Sequence, residues 1–251
     1  MTIPRSAPDP AASAPLPLRG DPPPWLRVVG VFDLETTGVD VRTDRVVTAH
    51  VGLLDAAGMA VCGRSWRADP GVEIPPAATA VHGITTAQAR ATGRPAAEVV
   101  AEVVGCLRGI LDAGIPVVAY NAAYDFSLLH HEALRHGVVP LEHPNPVFDP
   151  LVIDRHYDRY RRGKRTLMRV AEHYAVPLDE AHEAAADARA AGRVAQALAR
   201  RYRGLLPPTA RQIHVEQIAW ARDQAASLTE YFVRIGRIDA GDPIDGTWPV
   251  R

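Results

Sequence analysis

The hydrophobic residues of this chain fall into runs of two kinds, one typical of strands and one typical of helices. Three runs rich in β-branched residues, at 27–33, 45–54 and 59–68, are joined by short polar turns and predict three strands. Because a parallel crossover needs a dozen or more residues, turns this short predict antiparallel neighbours. Two shorter apolar runs, at 117–120 and 147–149, predict a fourth and a fifth strand. Helical stretches lie between the later strands, and this alternation predicts parallel pairing with crossovers.

Helical periodicity is clearest at 95–111, where apolar residues recur at positions 99, 100, 103, 104, 107 and 110. Further helices are predicted at 121–135, at 150–160 and over an Ala-rich stretch that ends near residue 203. A last amphipathic stretch, 209–235, follows a Leu-Leu-Pro-Pro break. Its apolar stripe must be buried, either on the rest of this chain or on a partner, which includes a second copy.

These patterns divide the chain into three segments. Residues 1–25 are rich in Pro, Ala and Ser, and they are predicted to be a disordered tail because they cannot bury enough apolar surface to offset their ordering entropy. Residues 26–203 form the α/β domain. Residues 204–251 form a C-terminal helical extension and tail.

Composition narrows the kinds of partner and compartment. The net charge of −1 over 251 residues means that any binding of nucleic acid must come from a local basic surface. The two cysteines, Cys62 and Cys106, have neither metal-site nor disulfide spacing, so a reducing cytoplasm is the expected compartment. The sequence contains no apolar stretch long enough to span a membrane, and no membrane association is expected.

The first candidate chemistry lies at the end of the first predicted strand, in the segment VVGVFDLETTG. Asp33 and Glu35 are two residues apart, so a strand turns both carboxylates to the same face. Their repulsion is relieved by protonation or by a cation, and hard carboxylate oxygens suit Mg²⁺ or Mn²⁺. Asp-x-Glu alone is weak evidence, and its meaning depends on the two motifs that follow.

The second motif, YNAAYDFSLL at 120–129, opens a predicted helix that Asn121 is expected to cap. Asp125 then lies near the first turn, where the helix dipole favours a carboxylate, although an ordinary acidic surface position is the alternative.

The third motif opens the Ala-rich helix with His182 and Asp187, which are separated by a helical rotation of about 500° and cannot share a helix face. We therefore place His182 in the loop before the helix and Asp187 within it, facing the strand carboxylates. A solitary surface histidine is the alternative for His182.

A basic run follows the fifth predicted strand. Such a cluster is either a solvated surface or a means of neutralising phosphates beside an active site, and the sequence does not decide between the two. Asp149, at the end of that strand, is expected to be structural. The members of the basic run are Arg155, Arg159, Arg161, Arg162, Lys164 and Arg165.

Taken in this order, Asp33-x-Glu35, Asp125 within YNAAYDFSLL and His182-x₄-Asp187 resemble the three motifs of the DEDDh group of DnaQ-like exonucleases. That family includes the proofreading subunit of bacterial DNA polymerase III and ribonuclease T. The resemblance covers about residues 27–203, and the segments FDLETTG and VHGIT are similar to the proofreading branch. It implies a ribonuclease H-like α/β fold in which helices flank a central five-stranded mixed sheet.

The same resemblance implies a chemistry with two divalent cations, Mg²⁺ or Mn²⁺, and with His182 as general base. The implied reaction is 3′–5′ hydrolysis of phosphodiester bonds at free 3′ ends of DNA or RNA, which releases 5′-mononucleotides. A turn-forming Thr and a packed His are the structural alternatives for the less certain substrate contacts. The implied metal ligands are Asp33, Glu35, Asp125 and Asp187, and the implied substrate contacts are Thr36, Thr37, His82 and Asn121.

Two hypotheses of different kinds remain. The first is an active exonuclease that acts on a nucleic acid with a free 3′ end, single-stranded in preference to double-stranded. The second is a non-catalytic or partner-dependent module that binds nucleic-acid ends beside a polymerase. All five motif residues are present, which favours the first hypothesis. If the C-terminal helix does not pack on its own domain, a polymerase or a second copy of the chain is the candidate protein partner. The choice between DNA and RNA stays open.

Overall fold

The computed structural model describes residues 23–178 and 183–251. Most of the predicted tail, 1–25, and the predicted general base His182 lie outside these described residues. The folded chain begins slightly earlier than the predicted boundary. Pro24–Leu26 form a 3₁₀ turn, Leu26 is fully buried, and Trp25 stacks on Phe148 with 4.8 Å between the ring centroids.

The described strands form one mixed sheet of six, in the order β4-β3-β2-β1-β5-β6. They are β1 (Val28–Thr36), β2 (Val46–Asp55), β3 (Ala60–Asp69), β4 (Arg94–Pro95), β5 (Val117–Val118) and β6 (Val147–Phe148). β1, β2 and β3 are antiparallel neighbours, whereas β5 runs parallel to β1 and β6 parallel to β5. The five predicted strands and the mixed α/β sheet are therefore confirmed. The sixth strand, β4, pairs with the end of β3 and is too short to produce a periodic signal in the sequence.

Eight α-helices lie around this sheet within the described ranges. Three of them, each seven residues long, are too short to have been predicted from periodicity: α1, α2 and α6. No helix in the described part of the chain combines the length and apolarity needed to cross a membrane. The helices are α1 (Pro76–His82), α2 (Thr86–Thr92), α3 (Ala96–Asp112), α4 (Ala122–Arg135), α5 (Pro150–Tyr157), α6 (Leu167–His173), α7 (Ala184–Arg201) and α8 (Ala210–Arg234).

Helices cover both faces of β1 because its alternate residues are apolar on each side. Phe32 meets Phe126 of α4 edge to face, with 5.3 Å between the ring centroids. On the opposite face, a Cβ at Gly192 of α7 would come within 2.6 Å of side-chain atoms of Val31 and Leu54. A glycine at this position therefore permits the close packing of α7 on β1 and β2, which also brings the start of α7 to the end of β1.

The C-terminal helix α8 completes the outer edge of the sheet at β6. Val147 N donates to His214 Nδ1 at 3.1 Å, and Gln217 Nε2 donates to Val147 O at 2.9 Å. Gln217 Oε1 also accepts a bond of 2.7 Å from Asp149 N. Two side chains of α8 thus take the place of a further strand. Because His214 and Gln217 are buried, losing either would leave buried backbone groups unpaired, at about 1–3 kcal/mol for each group.

Candidate active site

Two of the motif carboxylates are placed by the last part of β1. Asp33 and Glu35 alternate with Leu34, so both project to the sheet face that α7 covers. β5 pairs only with the first half of β1, which leaves the amide of Leu34 without a strand partner on that side. Leu34 N instead donates to Asp125 Oδ1 at 3.1 Å. This bond fixes Asp125, in the first turn of α4, directly beside the two carboxylates of β1.

The fourth carboxylate, Asp187, lies in the first turn of α7. Its charge raises the pKa of both Asp33 and Glu35, so it belongs to the same site. The structure therefore brings together four of the predicted site residues from β1, α4 and α7. The fifth, His182, lies outside the described residues.

Burial and mutual repulsion make this cluster costly to ionise. Burial is the main reason that the pKa of Asp33 lies well above its usual range, and the charges of Asp125, Glu35 and Asp187 raise it further. Burial also raises the pKa of Asp125 well above its usual range, although the bond from Leu34 N opposes the rise. The pKa of Glu35 rises to about 7, through burial first and the charge of Asp187 second. Full ionisation at neutral pH is therefore unfavourable unless a cation compensates the charge.

The donor set fits a divalent metal ion in its chemistry, because carboxylate oxygens are the hard ligands that Mg²⁺ and Mn²⁺ prefer. Across 23–178 and 183–251, however, no three His, Cys, Asp or Glu side chains converge closely enough to hold an ion by themselves. Mg²⁺ commonly keeps several waters and accepts phosphate oxygens of a substrate as ligands. An open set of carboxylates is compatible with that mode of binding.

The turn after β1 is fixed to α4 by Tyr124, a residue that the sequence did not indicate. Tyr124 Oη lies 2.5 Å from both Thr36 Oγ1 and Gly38 O. Thr37 faces a different set of partners, since its hydroxyl donates to Asp44 Oδ1 at 2.7 Å. The single hydroxyl hydrogen of Thr37 is thus used inside the loop, and its side chain has no donor left for a substrate.

A cleft of about 390 Å³ opens beside Glu35. His82, at the end of α1, lines this cleft together with Trp66 of β3 and the start of α7. His82 Nδ1 accepts a bond from Ile84 N at 3.1 Å, which places the ring proton on Nε2. Burial lowers the pKa of His82, and the nearby backbone of Thr36 opposes that change. The predicted substrate contacts Thr36 and His82 therefore lie next to each other at the edge of the carboxylate cluster.

Asn121 begins α4 in a different way from the prediction. Asn121 is the N-cap residue, as predicted, but its backbone is left-handed, with φ of 63°, and its side chain does not make the expected capping bond. The backbone N–H groups of Asn121 and Ala122 instead donate to the two carboxylate oxygens of Asp149, at 3.0 and 2.9 Å. Trp248 Nε1, close to the end of the chain, donates to the same carboxylate at 3.4 Å. Asp149 thus holds the start of the helix that carries Asp125.

Part of the basic run neutralises a buried carboxylate. Asp154 is fully buried and pairs with Arg161 at 2.6 Å and with Arg165. It also accepts a bond of 2.8 Å from the Tyr174 hydroxyl. Arg161 and Arg165 therefore have a structural role, whereas Arg155 is exposed.

The sequence also gave no indication of Glu132, a fully buried carboxylate in α4. It accepts a bond from Val46 N at 3.1 Å and pairs with Arg135 on the next turn. Glu132 thereby ties α4 to the first residue of β2. An acidic residue within a helix is usually solvent-exposed, and no local pattern distinguishes this one.

The chain matches the RNase_T family model, described as exonuclease, over residues 31–195. It is 31% identical over 166 residues to the DNA polymerase III PolC-type of Clostridium perfringens, an alignment that covers 65% of this chain and 11% of that protein. It is 30% identical over 169 residues to the PolC-type polymerase of Lacticaseibacillus paracasei, covering 67% of this chain and 11% of that protein. The chain thus spans about a tenth of the length of these relatives.

Solved structures of exonuclease I share the fold. One superimposes with a TM-score of 0.58 at 18% identity and covers 82% of this chain and 45% of that one. Escherichia coli exonuclease I in complex with a dA16 oligonucleotide gives a TM-score of 0.56 at 20% identity, covering 68% of this chain and 40% of that one. At these identities the likeness concerns the fold, and this chain spans less than half of either structure.

Proposed function

Because the chain belongs to the exonuclease family, we propose that its clustered carboxylates catalyse 3′–5′ hydrolysis of a nucleic-acid strand. The family match confirms the resemblance to DEDDh, DnaQ-like exonucleases and the expectation of an enzyme of this class. The predicted ribonuclease H-like fold is confirmed as well. The observation that carries the proposal is the bond of 3.1 Å from Leu34 N to Asp125 Oδ1, which joins the carboxylate of α4 to the part of β1 that carries Asp33 and Glu35.

In the proposed mechanism two divalent cations, Mg²⁺ or Mn²⁺, would make the attacking water more acidic and compensate charge on the phosphate. Bound cations would favour the ionised forms of Asp33, Glu35 and Asp125, whose pKa values are raised by burial and neighbouring charge in the metal-free protein. Asp125 has a second duty, because its bond from Leu34 N fixes the end of β1 relative to α4. The residues that would hold the cations are Asp33, Glu35, Asp125 and Asp187.

The reaction forms one P–O bond and breaks another. Water attacks the phosphorus of the last phosphodiester, the bond to the 3′-oxygen of the preceding nucleotide breaks, and that oxygen takes a proton. The released nucleotide keeps the phosphate on its 5′ carbon. We assign His182 as the base that accepts the proton of the attacking water, since an imidazole with an ordinary pKa near 6.5 suits neutral pH. This role rests on the third motif of the sequence.

The terminal nucleotide is proposed to occupy the cleft beside Glu35, with contacts from Thr36 and His82. The cleft adjoins the carboxylate cluster, and Tyr124 holds Thr36 in place from α4. Asn121 remains a proposed substrate contact, because its side chain makes no capping bond to α4. Thr37 is omitted because its hydroxyl hydrogen is already donated to Asp44. A single strand is the proposed substrate, a choice supported by the complex of E. coli exonuclease I with dA16.

The protein is proposed to work in the cytoplasm, since both cysteines are free. A polymerase is the protein partner suggested by the PolC-type relatives. The buried side of α8 packs on α5 and β6 of this chain. A polymerase or a second copy would therefore have to use its opposite side, where Val215 is 57% exposed. Light scattering of the pure protein distinguishes a monomer from a dimer.

Digestion of a 5′-labelled single strand tests the proposed function. With Mg²⁺ or Mn²⁺ the labelled strand should shorten by one nucleotide at a time and 5′-mononucleotides should appear. A circular strand, which has no 3′ end, should persist. Excess EDTA should stop the reaction. His182→Ala should lose about 10²–10⁴-fold in rate and still bind metal. Undiminished hydrolysis in EDTA, or cleavage of circles as fast as linear strands, contradicts the proposal.

A further inference from the structure

A second cleft, of about 450 Å³, lies between α5 and α8, away from the cleft that holds the proposed terminal nucleotide. We call it the Arg155 cleft and define it by Arg155, Arg159, Trp220, Gln224 and Tyr231 among its lining residues. Most of it comes from α8, which begins after the family match ends at residue 195. The proposed exonuclease chemistry uses none of these residues.

Charge is unbalanced in this cleft. Arg155 and Arg159 are exposed, and neither has an ion pair with any residue in the described part of the chain. The third arginine that lines the cleft, Arg165, is already paired with the buried Asp154. Asp223 is the single carboxylate among the lining residues that the structure describes. Two guanidinium groups are thus left to attract an anion, and Arg favours phosphate because its planar donors can bond two oxygens at once.

Aromatic rings form part of the same wall. His156 stacks on Trp220 with 4.1 Å between the centroids and 15° between the planes. Burial lowers the pKa of His156, which favours the neutral form of this ring. Tyr231 is 46% exposed, and the guanidinium of Arg234 lies 5.5 Å from its ring centroid. Exposed aromatic rings beside guanidinium groups are the combination that binds single-stranded nucleic acids, since every base offers a face for stacking.

The Arg155 cleft is continuous with the active-site side of the fold. A smaller hollow of about 150 Å³ shares Arg155, Gln224 and Leu228 with it and extends to Asn121 and Asp149. Asn121 lies at the start of α4, which carries Asp125, and Asp149 at the start of α5 accepts the N–H of Asn121. Arg155 lies about 8 Å along α5 from Pro150, the first residue of that helix, which follows Asp149 directly.

We propose that the Arg155 cleft binds the single-stranded part of a nucleic acid that precedes the nucleotide being removed. Arg155 and Arg159 contact its phosphates and Tyr231 stacks on a base. This inference rests on the proposed exonuclease function, which sets the polarity of the bound strand. The 3′ end would lie in the active site, and the preceding nucleotides would leave it past Asn121. It also assigns the C-terminal extension a role in substrate length, since only a strand that extends from the active site into the cleft would use it.

Binding of a fluorescent single strand of about 15 nucleotides to the full chain in EDTA tests the site without hydrolysis. Each phosphate contact contributes about 0.7 to the slope of log K against log salt, so the double variant Arg155→Ala/Arg159→Ala should lose roughly 20-fold in affinity at about 0.1 M salt. Its slope should fall by about 1.4. Tyr231→Ala should lose at least about fivefold, with little change in slope.

The matched control is Arg162→Ala/Lys164→Ala, which removes the same charge from the same basic run outside the cleft. The control should keep the affinity and slope of the parent protein. Equal losses in both double variants would show diffuse attraction and overturn the site, as would unchanged affinity in the cleft variants.

Hydrolysis separates this inference from the proposed function. With Mg²⁺, kcat/KM is measured on the long strand and on a dinucleotide, and the first value is divided by the second. In the cleft variants this ratio should fall by about the same factor as the affinity, mainly because KM for the long strand rises. A parent protein that binds the strand through the cleft but hydrolyses neither substrate contradicts the exonuclease function and leaves the cleft standing. If the parent protein hydrolyses both substrates and the cleft variants leave the ratio unchanged, the proposed role of the cleft is overturned. The exonuclease function then still stands.

Discussion

Replacing Glu35 with Gln should stabilise the protein in the absence of metal while abolishing its metal binding. The pKa of Glu35 is raised from 4.5 to about 7 by burial and by Asp187. Between those two values the folded protein holds a proton that the unfolded chain has released. Folding stability must therefore fall as the pH rises through this window. The shift corresponds to about 3 kcal/mol at most, because the partial exposure of Glu35 to solvent reduces it.

The comparison has to be a difference between variants, because other groups titrate in the opposite sense. Burial lowers the pKa of His50 and of His214 to about 4, so their contribution to stability grows as the pH rises from about 4 to 6.5. These histidines remain in both proteins and cancel in the difference. Only the contribution of Glu35 and of its neighbours in the cluster is left.

Thermal melting in EDTA from about pH 5 to pH 8 measures this difference. Glu35→Gln should melt close to the parent protein at pH 5 and above it at pH 8, by at most about 6–12 °C. Addition of Mg²⁺ or Mn²⁺ at pH 8 should raise the melting temperature of the parent protein alone. The exposed Glu73→Gln is the matched control and should follow the parent at every pH. Identical melting of Glu35→Gln and parent across the range would refute the claim that the burial of Glu35 and its repulsion by Asp187 destabilise the metal-free protein.

Three further substitutions test the parts that support the site. Trp248→Phe removes a donor to Asp149, so the free energy of unfolding in urea should fall by about 1–2 kcal/mol and turnover should fall as well. Unchanged turnover would show that the C-terminal tail does not position α4. Glu132→Gln removes the charge that pairs with Arg135, so the same unfolding assay should show a loss of about 2 kcal/mol, and a neutral result would contradict the structural role of the pair. Gly192→Ala places a methyl group 2.6 Å from neighbouring side chains, so the protein should lose about 1–3 kcal/mol and activity together, and a stabilised variant would show that α7 is not packed as described.

The sequence was most informative where chemistry and periodicity coincide. Asp33 and Glu35 share a face because a strand has a period of two, and that relation is local. The long helices were also predictable, since α3 and α8 begin and end within one residue of the apolar patterns at 95–111 and 209–235. In both cases the physical cause acts over a few neighbouring residues, so one stretch of sequence contains all of it.

The parts that could not be predicted depend on contacts between distant segments. Asn121 has the side chain of a helix cap, yet its backbone adopts φ of 63° and its N–H donates to Asp149, 28 residues later. Trp248 reaches the same carboxylate across 99 residues. The roles within the basic run also depend on distant contacts. Arg161 pairs with the buried Asp154, whereas Arg155 is exposed. No local pattern records such pairings.

The most direct test of the central claim is electron paramagnetic resonance of the protein loaded with Mn²⁺. The claim is that carboxylates from β1, α4 and α7 act as one binding site for two cations. The account predicts two Mn²⁺ ions per chain, coupled as expected for a separation of about 3.5–4 Å, and loss of the coupled signal in Asp33→Asn and in Asp187→Asn. A single uncoupled ion, or a coupled pair that survives in both variants, would contradict it.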